Sequence, residues 1–249
     1  MSNPLFYNKI VPLDKGAHRD IRLDLGKDRF AFARTANMVP ALIDEFGAAL
    51  AHLPIAFLPG SRQPAAVFVT GLKPGSNLFV DAKGAWDAQY VPAYLRRYPF
   101  IMGDVPEGEP ILCVDEAFPG LNPKTGDRLF SEGGDLQPVV QQALDLAVNY
   151  KNAATRTDDF CATLQQMDLL SAVTLDAKAD DGESTVVHGL FVVDEKAFDS
   201  LSAQALGTLH EKRYLKPIVQ HLASLGAIVR LGERARTAKP AAARTAKSI

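Results

Sequence analysis

The densest group of side chains suited to recognising a ligand is Tyr94-Leu95-Arg96-Arg97-Tyr98-Pro99-Phe100, a short distance after Trp86. Guanidinium groups offer planar donor forks to a carboxylate, a phosphate or a pair of sugar hydroxyls, and the flanking rings add stacking area. Trp86, Tyr94, Arg96, Arg97 and Tyr98 therefore form the expected ligand-binding set. The same residues also suit an anchor in which the arginines cap carbonyls and the rings fill the core. Acid/base chemistry has fewer candidates. His188 interrupts the apolar run Val186 to Val193, as a general base or ligand, or as an edge or core histidine with one backbone partner. Asp115-Glu116 and Asp194-Glu195 fall at strand exits, where catalytic carboxylates commonly lie and where Asp also serves as a turn former or helix cap. His188, Asp115 and Asp194 are the catalytic candidates on this reading.

Other chemistries lack their motifs. The spacing of Gly60, Gly71 and Gly75 matches neither a phosphate loop nor a dinucleotide fingerprint, and no GxSxG or SxxK occurs. The five histidines, His18, His52, His188, His210 and His221, are scattered, and Cys113 and Cys161 stand alone, so no local metal site is expected. No cofactor is expected either.

The elements that must position these groups alternate without a strict βαβ order. Ile21 to Leu25 and Phe30 to Ala33 alternate in polarity around Gly26-Lys27-Asp28, which predicts a hairpin. Val39, Leu42, Ile43, Phe46 and Leu50 recur at helical spacing, with Pro40 placed in the first turn. Residues 54 to 81 read as strands, including Ala65 to Thr70 and Leu78 to Val80, joined by the Pro-Gly turns at Leu58 to Arg62 and Leu72 to Asn77. Tyr90 to Arg97 is an amphipathic patch ended by Pro99, Ile111 to Val114 a buried strand, and Asn122 to Phe130 a tight loop. Leu136 to Ala147 and Phe160 to Leu170 give two apolar stripes, read as two helices with Thr157-Asp158-Asp159 capping the second. Ala172 to Ala177 and Thr185 to Val193 predict strands around the turn Asp180-Asp181-Gly182. A helix over Leu215 to Leu225, stopped by Gly226, precedes a last strand, Ala227 to Leu231. The pattern predicts an α+β fold with a mostly antiparallel sheet and several packed amphipathic helices, in one compact domain over residues 1–232.

Residues 233–249 are expected to form a basic, disordered tail, solvated or in weak electrostatic contact with nucleic acid or anionic lipid. The 249-residue chain is 47% hydrophobic with a formal net charge of -2, which excludes wholesale disorder and a wholly basic nucleic-acid binder. Met1 to Lys15 lacks the apolar stretch of a secretory signal, and no run of about 18 apolar residues occurs. The expected compartment is the cytoplasm, with the cell surface reached only through signal-independent export.

The run His52-Leu53-Pro54-Ile55-Ala56-Phe57, Trp86, and Tyr90 through Phe100 with its Arg96-Arg97-Tyr98-Pro99-Phe100 string resembles the SapC family of bacterial proteins. Gly189 to Glu195 and Leu222-Ala223-Ser224-Leu225 look like the family's C-terminal half, so the similarity covers residues 4 to 232. The resemblance implies a surface-layer association or a role accessory to nutrient uptake, and supplies no catalytic residues. The expectation is a non-catalytic binding or accessory protein holding a small anionic or sugar-like ligand, or a partner protein. The alternative is an enzyme with a composite His188/carboxylate site acting on a small polar or anionic substrate.

Overall fold

A computed structural model describes residues 3–105, 108–178 and 184–237, with 175–178 and 184–186 described as backbone alone. The strands are β1 (Ile10–Pro12), β2 (Arg22–Leu23), β3 (Met38–Pro40), β4 (Ile55–Leu58), β5 (Ala65–Val69), β6 (Phe100–Gly103), β7 (Ile111–Asp115), β8 (Leu121–Asn122), β9 (Asp127–Arg128), β10 (Leu170–Lys178) and β11 (Ser184–Val193). The α-helices are α1 (Phe46–Ala49), α2 (Ala93–Arg96), α3 (Pro138–Gln166), α4 (Glu195–Asp199), α5 (Ala203–Glu211), α6 (Leu215–Ser224) and α7 (Ala227–Thr237). Every strand pairing is antiparallel, in three sheets ordered β10-β11-β4-β5-β3, β1-β7-β6 and β8-β2-β9. This is the α+β architecture that the sequence predicts.

The sequences IAFL of β4 and AAVFV of β5 are short apolar runs, and such runs suit strands covered on both faces. They lie side by side inside the five-stranded sheet, Ile55 opposite Phe68 and Leu58 opposite Ala65. Pro40 lies on the edge strand β3, where a missing N–H costs no ladder bond. Helix α3 begins at Pro138, whose fixed φ suits the first turn, and extends for about 44 Å at 1.5 Å per residue. It links three apolar clusters: Val140 packs with Leu23, Phe100 and Val114, Tyr150 with Leu42 and Tyr94, and Phe160 and Leu164 with β4 and β5.

Several expected elements differ. The stripes of 136–170 belong largely to the single helix α3, because Thr157 does not cap a helix. Its hydroxyl donates to the carbonyl of Ala153 (2.8 Å) and accepts the N–H of Ile43 (3.1 Å), so the helix continues. Residues 38–50 form β3, a 3₁₀ turn and the short α1 rather than one helix; Val39, Leu42 and Phe46 still meet the core, but from a turning backbone. The hairpin expected over 21–33 is replaced by β2, paired with β8 and β9, and a 3₁₀ turn at Ala31–Ala33. Leu78 to Val80 makes only the isolated bridge Val80–Trp86. Ala227 to Leu231 is helical: Ala227 and Leu231, one turn apart, are buried, while Val229 is 68% exposed.

Helix α7 continues through Thr237, past the expected domain boundary, and Arg234 on it bonds the Asp87 carboxylate at 2.8 Å. The turn Asp180-Asp181-Gly182 and residues 238–249 lie outside the described residues. Among those described, no helix is long and apolar enough to cross a membrane.

Candidate functional site

The structure distributes the arginine-aromatic residues among separate environments. Arg97 follows α2, is 9% exposed, and sits among three tyrosines, its Cζ 3.9 Å from the ring centroid of Tyr150, 4.3 Å from Tyr94 and 5.7 Å from Tyr7. Tyr94, also buried, donates its hydroxyl to the carbonyl of Leu5 at 3.1 Å. Arg96 is exposed, its Nε donating to the carbonyl of Val91 at 3.0 Å and its guanidinium over Tyr90. Trp86 stacks on Phe79 with ring centroids 5.4 Å apart and donates Nε1–H to the carbonyl of Tyr90. Arg97, Tyr94 and Trp86 therefore take up the anchoring role that the sequence also allowed.

Glu45, buried in the 3₁₀ turn, organises this region by accepting the Tyr90 hydroxyl and the Ala93 N–H, each at 2.6 Å, and the Leu42 N–H at 3.2 Å. Burial pushes its carboxyl above the usual range against the pull of these three donors.

The acid/base candidates are also separate. Asp115 is fully buried, and accepts the N–H groups of Asn8, Lys9 and Ala117 and the hydroxyl of Tyr98, at 2.7–3.2 Å. It fastens the N-terminal segment to β7. Asp194 caps α4, accepting the N–H groups of Lys196 and Ala197. His188 is exposed on β11, with its Nδ1 3.4 Å from the Thr174 hydroxyl. Asp194 is six residue steps further along, roughly 20 Å of extended chain. Among the described residues no group of three His, Cys, Asp or Glu side chains is placed to hold a metal ion.

Tyr98, of the expected ligand set, borders a cleft of about 540 Å³. That volume lies within the roughly 300–1,000 Å³ usual for small-molecule sites. The cleft lies between the loop after β2 (Asp24, Asp28, Arg29, Phe32) and the segment around β8 (Phe118, Gly120, Asn122, Thr125), with Tyr98 beside them. Phe32 and Phe118 line it half-buried, and Tyr98, 6% exposed, packs behind them, 4.3 Å from Phe32 and edge-on to Phe118 at 5.3 Å. The Tyr98 hydroxyl is held by Asp115, and burial together with that carboxylate keeps it protonated well above the usual phenol range.

Two glycines shape the walls. Gly26 turns the first loop at φ +57°, its N–H bonded to the Asp24 carboxylate at 2.9 Å. Gly120 lets the second segment touch the first: the Asp24 N–H donates to its carbonyl at 2.8 Å, and a Cβ there would stand 2.1 Å from the Asp24 carbonyl oxygen.

Arg29 is the cleft's cation. It is half-buried, with its Cζ 5.4 Å from the Phe30 centroid, and its Nε is buried with no hydrogen-bond partner among the described residues. Burial first, and the neighbouring charge of Arg96 second, lower its pKa. Sequence reading missed Asp24, Asp28, Arg29, Phe32 and Phe118 as a group, because they come from two distant loops. The available signal was a pair of Gly-containing turns, each flanked by aromatic residues.

An antiparallel α+β fold with a loop-built aromatic cleft defines the class of protein at hand. The model of the family described as SapC matches residues 13–231, and the chain belongs to the SapC family. No curated protein and no solved structure matches the chain.

Proposed function

We propose that this chain is a non-catalytic binding protein that holds a small polar molecule in the cleft between the Asp24–Phe32 loop and the Phe118–Thr125 segment. The observation that carries this reading is the cleft's make-up: the half-buried rings of Phe32 and Phe118, backed by Tyr98, beside the polar groups of Asp24, Asp28 and Arg29. Aromatic surface with a few convergent polar groups is the usual composition of a ligand site, the apolar part giving affinity and the polar part orientation. The geometry supports binding over the composite-enzyme alternative, since Asp115 and Asp194 are engaged by backbone N–H groups and His188 faces Thr174.

Thr125 is exposed at the cleft, so Thr125→Trp fills the cleft without entering the core. In a thermal-shift and calorimetric screen against small polar metabolites, the full-length protein is expected to bind at least one class of compound. The Thr125→Trp protein is expected to lose that binding while its melting temperature stays within about 2 °C of the parent, as surface substitutions usually do. Binding that survives Thr125→Trp, or no binding across the screen, overturns the proposal.

A further inference from the structure

We infer that the cleft takes a zwitterion, an α-amino acid with an apolar side chain, in preference to its singly charged derivatives; this rests on the binding reading above. The inference begins with charges of both signs that do not neutralise each other. Asp24, Asp28 and Arg29 all line the cleft, yet among the described residues Arg29 forms no ion pair with either carboxylate. Its Nη2 reaches the carbonyl of Arg96 at 3.4 Å, and its accessible Nη1 has no hydrogen-bond partner among the described residues. Asp24 commits one oxygen to the Gly26 N–H, which leaves the other without a donor, and the carboxylate of the exposed Asp28 has none.

A carboxylate is the natural acceptor for a guanidinium, and one placed here would offset both the burial and the Arg96 charge that lower the Arg29 pKa. An ammonium group donates to carboxylates such as Asp24 and Asp28. The three charged groups of the lining sum to one negative charge, so an amine alone is drawn in and an acid alone is opposed. Each of these leaves one sign of the lining unmatched. An α-amino acid carries both head groups on one carbon, as Asp28 and Arg29 are neighbours on one loop, and matches both signs at once. Its side chain then meets the open parts of the half-buried Phe32 and Phe118 rings, where removing apolar surface from water adds affinity.

The test is calorimetric titration of the full chain with leucine, methionine and phenylalanine at pH 6.5 and equal ionic strength. Each is run beside its amide, which keeps only the ammonium, and its N-acetyl form, which keeps only the carboxylate. The expected result is that at least one amino acid binds about tenfold tighter than its amide, with the N-acetyl form weakest. Arg29→Gln is expected to bring the amino acid and its amide to within about threefold of each other, and Asp28→Asn to weaken both about threefold. Asp28 is exposed, so Asp28→Asn reads the charge without disturbing the fold, whatever Arg29→Gln does to stability. Thr125→Trp is expected to abolish all of this binding. An amide or N-acetyl form that binds as tightly as its amino acid in a Thr125→Trp-sensitive manner overturns the zwitterion inference and leaves the binding reading standing. So does a zwitterion preference that both charge variants leave unchanged, or Thr125→Trp-sensitive binding confined to compounds other than amino acids. Failure of every compound, in this series and in the metabolite screen, overturns both.

Discussion

His221 gives the protein an acid-labile core. It lies on α6 with no exposure, against the Phe57 ring at 5.0 Å, and its Nε2 accepts the N–H of Val193 at 3.0 Å. Ser224, three residues on, accepts the Ile55 N–H and donates to the His221 carbonyl, so α6 is fastened to both β4 and β11 here. Protonation would place a charge in this apolar setting and remove the acceptor from Val193; burial accordingly lowers the imidazole pKa to about 4 from the ordinary 6.5. The sign follows from that depression. The fold holds the neutral ring, so its contribution is complete above pH 6.5 and is lost as the pH falls from 6.5 toward 4. At 1.36 kcal/mol per pKa unit the whole shift is worth roughly 3 kcal/mol, of which about 2.5 kcal/mol is gone by pH 4.5. Urea unfolding at pH 7.5 and pH 4.5 measures it, comparing the parent with His221→Gln, whose amide oxygen keeps an acceptor near Val193. Other titrating groups act alike in both proteins, so the stability gap between them should shift by about 2.5 kcal/mol toward the variant on acidification. A gap that is the same at both pH values refutes the reasoning.

Arg97→Ala removes a buried guanidinium from among three tyrosine rings and is expected to cost about 2–4 kcal/mol in denaturant unfolding, while ligand affinity at the cleft stays within twofold. Glu45→Ala leaves the Leu42 and Ala93 N–H groups and the Tyr90 hydroxyl without their acceptor, an expected loss on the order of 3–5 kcal/mol by the same measurement. Gly120→Ala forces the two cleft walls apart, and calorimetry should show ligand binding falling at least tenfold with a stability loss of roughly 1–3 kcal/mol. Burial pushes the Cys161 thiol up to about 12, so a thiol reagent at pH 8 should label it only at the rate of global unfolding.

The parts of the fold legible in the sequence are those whose pattern is local. β5, β7, the β10–β11 pair and α6 follow from short apolar runs or helical spacing, and the structure has them within a few residues. Where sequence reading erred, one apolar pattern served two backbones. Val39, Leu42 and Phe46 reach the core from a strand, a 3₁₀ turn and a short helix, because Glu45 is drawn inward to satisfy three donors and the chain turns around it. Ala227 and Leu231 fit either a strand or one helical turn, and burial of that i, i+4 pair settles the choice. Thr157-Asp158-Asp159 resembles a cap in type alone, since the Thr157 hydroxyl is already used within the helix and by Ile43.

The candidate site was less legible for a different reason. Sequence reading favours arginines flanked by aromatic rings, and Arg97 fits that description best, yet the rings around it are close enough to enclose it, which leaves it 9% exposed and structural. Recognition needs the opposite balance, a cation beside aromatic surface that is not enclosed by it. Arg29 has that balance: it is half-buried, with Phe30 beside its guanidinium and the half-buried Phe32 and Phe118 lining the same cleft. The facing wall, with Phe118 and Asn122, lies about ninety residues further along the chain and is brought there by the pairing of β2 with β8 and the contact of Asp24 with Gly120. No local spacing encodes that meeting. The two-residue register, Arg22 opposite Asn122 and Leu23 opposite Leu121, is what places a chemically ordinary arginine at the mouth of a site.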